Sequence, residues 1–112
     1  MAKLELILTC SFDQILSEIE TEIVSGSITA NLEDGTDWQL GDVHCAVRVF
    51  ERYSWTGGNR VSLNVTLLGQ GNTIYLSAIT SGGSQALLLK VNTFGEESFL
   101  ECLESIVIKY CR

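Results

Sequence analysis

What this chain lacks narrows its function before any motif is considered. With 1 histidine, a Ser-His-Asp or Cys-His nucleophilic centre would have to be built on His44, which sits on the polar side of a strand start. Basic residues are scarce. A count of 7 Lys and Arg against 14 Asp and Glu, a net charge of −7, argues against a phosphate-binding surface for nucleic acid and against an anionic membrane. No apolar run is long enough to span a bilayer. Met1, Ala2 and Lys3 lead straight into an alternating segment rather than a signal peptide, so a cytoplasmic location is expected. The 4 cysteines, Cys10, Cys45, Cys102 and Cys111, form no Cys-x-x-Cys pair; they read as buried apolar residues, with Cys111 the exposed thiol. Glu33, Asp34 and Asp37 lack the ligand spacing of a calcium loop and read as a turn, so neither metal nor cofactor is expected. There is no proline, and 112 residues with 46% hydrophobic content describe a single domain, residues 1–112. A chain of this length buries about two thirds of its unfolded surface and needs no covalent staples.

What the chain has in abundance is alternation. From Asp42 to Thr93 apolar and polar residues exchange with the period of a strand, broken by short glycine-rich turns. Val43, Cys45, Val47, Val49, Tyr53 and Trp55 share odd parity, as do Val61, Leu63, Val65 and Leu67. Joining odd to odd on one face requires an odd-numbered loop around Thr56, Gly57, Gly58 and Asn59. Ile74, Leu76 and Ala78 have even parity, which a two-residue turn at Gln70 and Gly71 supplies; Leu87, Leu89 and Val91 return to odd parity through a turn at Gly82 and Gly83.

Two amphipathic helices are available to cover the apolar face. Phe12, Ile15, Leu16, Ile19 and Ile23 recur at helical spacing after Ser11, which forms a capping box with Gln14, and Gly26 ends the run. The second helix starts near Thr93 and carries Phe99, Cys102, Leu103, Ile106, Val107 and Tyr110 on one stripe. Its early Glu96, Glu97, Glu101 and Glu104 and late Lys109 and Arg112 suit the helix dipole. Leu4, Leu6, Leu8 and Cys10 form a strand before the first helix, with Ile7 out of phase, and Ile28, Ala30 and Leu32 form one after it. The fold class is α+β: an antiparallel meander sheet in the order β-α-β-β-β-β-β-α, with two helices packed on one face.

Two places on this scheme invite function. Glu51 falls at an odd position, on the face assigned to the core, where a carboxylate would anchor a ligand held among Tyr53, Trp55, Leu63 and Phe99. The opposite, uncovered face carries Arg48, Phe50, Arg52, Asn64, Tyr75 and Lys90, a mixture of arginine and aromatic residues that suits a protein interface. Ser81, Gly82, Gly83 and Ser84 precede a strand rather than a helix, so they form a hairpin turn and not a phosphate cradle.

The stretch from Glu51 to Asn64, with its Ser54, Trp55, Thr56, Gly57, Gly58, Asn59 core, and the stretch from Ser77 to Ser84 resemble a family of short bacterial proteins known only as a domain of unknown function. The resemblance extends over nearly the whole chain and implies a bacterial cytoplasmic protein. It implies no catalytic residue. In fold, the order of elements resembles an abbreviated helix-grip arrangement, whose members bind apolar ligands between sheet and helix or build interfaces. Two functions follow: a non-enzymatic module that forms a homodimer or docks a protein partner through the open sheet face, and a small-molecule carrier or sensor with its ligand between sheet and C-terminal helix. An enzyme ranks behind both, because no nucleophile, base and orienting group come together.

Overall fold

Consecutive strands with few residues between them pair as a meander, and the computed structural model shows this arrangement. It describes residues 1–53, 60–82 and 89–112, the side chains of 89–94 excepted. The elements are β1 (Ala2–Thr9), α1 (Phe12–Ser25), β2 (Asn31–Leu40), β3 (Val43–Tyr53), β4 (Arg60–Gln70), β5 (Thr73–Gly82), α2 (Leu89–Val107) and a closing 3-10 turn (Ile108–Tyr110). The sheet is antiparallel throughout, in the order β1-β5-β4-β3-β2. Both helices pack on one face, as the class assignment requires, and the two N-terminal strands lie at opposite edges.

The turns that set the registers are short. Leu40 pairs with Val43 and Gln70 with Thr73, leaving Gly41 with Asp42 and Gly71 with Asn72 as the connecting pairs. Gly41 and Gly71 have φ of +61° and +59°, the left-handed region that primed hairpin turns demand at this position. The second of these turns sits one residue later than the expected Gln70-Gly71 pair, with parity preserved.

Three expectations change. Of the strand expected at Leu87, Leu89 and Val91, Leu87 lies outside the described residues, whereas Leu89 and Val91 belong to α2. A short apolar run serves either period, and here the helix starts earlier than Thr93. Lys90, expected on the open sheet face, is therefore also in α2. Gly82 ends β5, and Gly83 lies outside the described residues. The acidic segment from Glu33 to Asp37, expected as a turn, is instead the body of β2, with a register shift between Leu32 and Asp34. Every residue of β2 is exposed, so an edge strand can hold these charges without desolvating them.

The third change is the phase of β3. Tyr53 pairs with Arg60, so residues 54–59 make an even connection, and the even residues of β3 join the odd residues of β4 on one face. Phe50 stands opposite Leu63, both fully buried beneath the helices, while Val43, Cys45, Val47 and Val49 turn to the uncovered side.

The core lies between the sheet and the helices. Ile15, Ile19 and Ile23 of α1 and Phe99, Leu103 and Val107 of α2 meet Leu63, Val65, Leu67, Ile74 and Leu76. Ser11 caps α1 by accepting from the Gln14 amide at 3.5 Å, and the Gly26 amide donates to Glu22 O at 3.0 Å. The Gln14 side chain does not complete the box; it donates to Glu18 and to the Tyr110 hydroxyl instead.

Glu18 latches the end of α2 to α1. Its carboxylate accepts from the Tyr110 hydroxyl at 2.5 Å and lies 3.4 Å from Lys109 Nζ. The Tyr110 bond lowers the Glu18 pKa, opposed by desolvation and aided by Lys109. Because the folded-state pKa is depressed, this contribution is present at neutral pH and lost as pH falls below the ordinary carboxylate range. Tyr110→Phe is expected to lower the thermal midpoint at pH 7, with the gap to the parent narrowing as the pH drops below the unfolded Glu value of about 4.3; thermal unfolding across pH 3–7 checks this.

Candidate functional site

The uncovered face of the sheet is built by the residues whose neighbours in sequence point into the core. At one level it carries an apolar row across all five strands: Ile7 pairs with Tyr75, Tyr75 with Leu68, Leu68 with Cys45 and Cys45 with Trp38. Neither α1 nor α2 covers this row. Trp38 is 72% exposed and Tyr75 56%, and Ile7 and Leu68 are exposed as well. Val43, Val47 and Val49 extend the apolar surface along β3, and Ile79 lies one strand beyond Asn64. Ile7, the residue out of phase in β1, is the end of this row.

Relief follows from the same residues. Leu68 and Tyr75 form a ridge with a groove of about 540 Å³ on the side of Glu5, Ile7, Thr66 and Ser77, and another of about 330 Å³ on the side of Val43, Gln70 and Thr73. Among the described residues the charges of this face lie on one side of the row, beginning with Glu5 at the next level, beside the larger groove. Lys3 and Asp34 stand at opposite ends of a lower row, and Glu51 occupies a polar corner where it pairs with Arg60 and accepts from Ser62 Oγ at 3.3 Å. The apolar row itself carries no charge.

The helix-side face of β3 holds the arginines that the sequence placed outside. Arg48 is 9% exposed and fully engaged: Nε donates to Glu20 at 2.7 Å, Nη1 to the carbonyls of Thr36 and Val47 at 3.1 and 2.9 Å, and Nη2 to Asp37 at 2.9 Å. Burial works against its charge, but the hydrogen bonds to Glu20 and Asp37 prevail and raise its pKa. Gly35 opens the path for this side chain, since a Cβ there would sit 2.6 Å from Arg48 Cδ. Arg52 reaches α2, with its guanidinium carbon 4.3 Å from the Phe99 ring centroid and Nη2 donating to Ser98 at 3.1 Å.

These positions correct the candidate sites. Of the interface set, Asn64 and Tyr75 lie on the open face, whereas Arg48, Phe50 and Arg52 lie beneath or against the helices and Lys90 is in α2. Of the ligand set, Glu51 and Tyr53 are on the open face while Leu63 and Phe99 are buried on the other, so the sheet separates them; Trp55 lies outside the described residues. A crevice of about 200 Å³ between the end of α1 and α2 is lined by Glu22, Arg52, Phe99 and Cys102, without Glu51. His44 is not a free surface residue: its ring lies 5.4 Å from that of Phe12. Among the described residues no group of three or more His, Cys, Asp or Glu is placed to hold a metal ion, and no helix is long and apolar enough to cross a membrane.

Sequence reasoning missed Trp38 and the four small apolar residues of β3 as surface groups. The available signal was Trp38 itself, a large aromatic in an otherwise polar segment, where no core position awaits it.

Fold and surface together define an α+β domain with a one-sided antiparallel sheet. The chain belongs to a family of unknown function, DUF6054, whose model matches residues 1–111. No curated protein and no solved structure matches it.

The Arg48 cluster ties α1 and β2 to β3, and its loss should be felt as stability. Arg48→Met is expected to cost about 2 kcal/mol in urea unfolding, because it removes charge-assisted hydrogen bonds whose carboxylate partners stay partly solvated. Gly35→Ala should shift stability in the same direction by displacing the guanidinium.

Proposed function

We propose that this protein is a non-enzymatic interaction module that works as a homodimer, packed through the open face of its sheet. The observation that carries this reading is the uncharged row from Ile7 to Trp38, which crosses the whole sheet and is left bare by both helices. Isolated apolar residues on a surface need no explanation, but a contiguous band with aromatic members at two points is the composition of an interface core.

Size supports the same reading. Five strands at ~4.8 Å spacing and about 30 Å of strand length make a plane of roughly 700 Å², close to the ~800 Å² that each partner contributes to a standard interface. Edge-to-edge pairing has less support. At the β1 edge, Leu8 already bridges Cys111 and the Arg112 amide donates to Ile7 O at 3.0 Å. The β2 edge carries Glu33, Asp34 and Asp37 and an irregular register, the devices that discourage strand addition. The carrier reading finds less in the geometry, since its anchor Glu51 and its apolar wall Leu63 and Phe99 lie on opposite sides of the sheet.

Native mass spectrometry and light scattering of the parent and of Leu68→Arg test the proposal. The parent is expected to be a dimer without additional mass, and Leu68→Arg a folded monomer with unchanged circular dichroism. A parent that stays monomeric at high micromolar concentration refutes self-association. A dimer that survives Leu68→Arg is joined elsewhere, at the β2 edge for instance, and refutes the sheet-face contact.

A further inference from the structure

Two-fold symmetry restricts how one sheet face meets its own copy, and the charges on this face discriminate between the permitted arrangements. The inference rests on the homodimer reading above. The face is read as rows, each running across the sheet at one level. The row of Leu68 places Ile7 on β1 and Trp38 on β2, at opposite ends, with Tyr75 and Cys45 between. Two levels along the strands, Lys3 pairs with Ile79, Ile79 with Asn64, Asn64 with Val49 and Val49 with Asp34, so a cation and an anion end the same row. Both are exposed, and among the described residues neither forms an ion pair.

From this arrangement we infer that the partner copy docks about a two-fold axis lying between the sheets and running along β4, the middle strand. Rotation about that line keeps each level and exchanges the two edges of the sheet. Lys3 then faces Asp34 of the partner subunit, and by symmetry the contact occurs twice. Ile79 faces the partner's Val49, Ile7 the partner's Trp38, and Tyr75 the partner's Cys45. Leu68 lies on the axis against its own copy. Apolar residues meet apolar residues along the central row. Lys3 and Asp34 meet as opposite charges, Glu5 faces the partner's Thr36, and Arg60, on the middle strand at the far end of the face, meets its own copy with Glu51 beside each guanidinium.

The other in-plane axis, across the strands, lays each strand over its own counterpart. With that axis at the level of Thr66, Lys3 would be covered by the partner's Ile7, Asp34 by the partner's Trp38 and Glu5 by its own copy, with no compensating pair; with it at the level of Leu68 the apolar row would meet itself, but the row of Lys3 and Asp34 would lie beyond the partner's hairpin turns and that part of the face would stay unburied. Either in-plane axis gives the aligned packing of two twisted sheets, whose strands cross at about −30°, so the choice between them rests on what each brings into contact. The Lys3 and Asp34 pairs stand at the rim, where such contacts fix orientation more than they add affinity.

Charge reversal tests the axis. Lys3→Asp and Asp34→Lys are each expected to weaken the dimer about ten-fold, because each change acts at both symmetric contacts and opposes like charges, and the double variant should return to within about three-fold of the parent. Sedimentation equilibrium at low and high salt reads the dissociation constants. Restoration in the double variant, with the singles more sensitive to salt than the parent, supports the axis along β4. Singles that weaken the dimer without rescue, or that leave it unchanged, overturn the axis while a Leu68→Arg-sensitive dimer still stands. A monomeric parent removes both.

Discussion

Burying a guanidinium is tolerated only when its charge and its N–H groups are matched, and the arrangement of this protein follows from how Arg48 is matched. Glu20 on α1, Asp37 on β2 and the carbonyls of Thr36 and Val47 converge on it from three elements. Because side chains alternate along a strand, placing Arg48 beneath α1 also places Phe50 in the core and Val47 and Val49 on the far side. The phase that buries the cation thus also turns the valines of β3 to the bare face. Gly35 belongs to the same constraint, since it leaves the space through which the arginine reaches β2.

The sequence made most of the fold legible and misread one phase. Helix α1 announces itself through Ser11, its isoleucines and Gly26, and the parities of β1, β4 and β5 agree with their burial. In β3 the pattern has no sign. Val43, Cys45, Val47 and Val49 look like a core face, and a strand with apolar residues on both sides cannot say which side is covered. The deciding information was distributed: acidic Glu20 and Asp37 needed a cation, and only the even residues of β3 could supply one. The start of α2 was hidden for a related reason, because its apolar residues satisfy both periods. The candidate site was legible as a place and less so in its members. Asn64 and Tyr75 lie on the open face as the alternation implies, while the arginines that lent it its apparent character belong to the helix contacts.

Charge is divided between the two sides of the sheet. Asp13, Glu18, Glu20 and Glu22 lie on α1, and Glu97, Glu101 and Glu104 on α2, so the helix layer carries much of the net charge of −7. Several cations are consumed within the molecule: Arg48, Arg60 and Lys109 by carboxylates, and Arg52 by Phe99. A dimer closed through the sheets would present acidic helices outward on both sides, a surface whose mutual repulsion opposes further association.

The pairing of β1 with β5 gives the chain an unusual order of assembly. Ala2 lies opposite Thr80 and Thr9 opposite Thr73, so among the described residues β1, the first of the five strands, finds its strand partner only after three others have intervened. Hairpins β2–β3 and β4–β5 close over short loops, whereas β1 must wait until β5 has emerged, and its docking closes the largest loop in the sheet. Leu4, Leu6 and Leu8 therefore stay uncovered until the meander is complete, which makes β1 the part of the sheet with the longest exposure before it is paired.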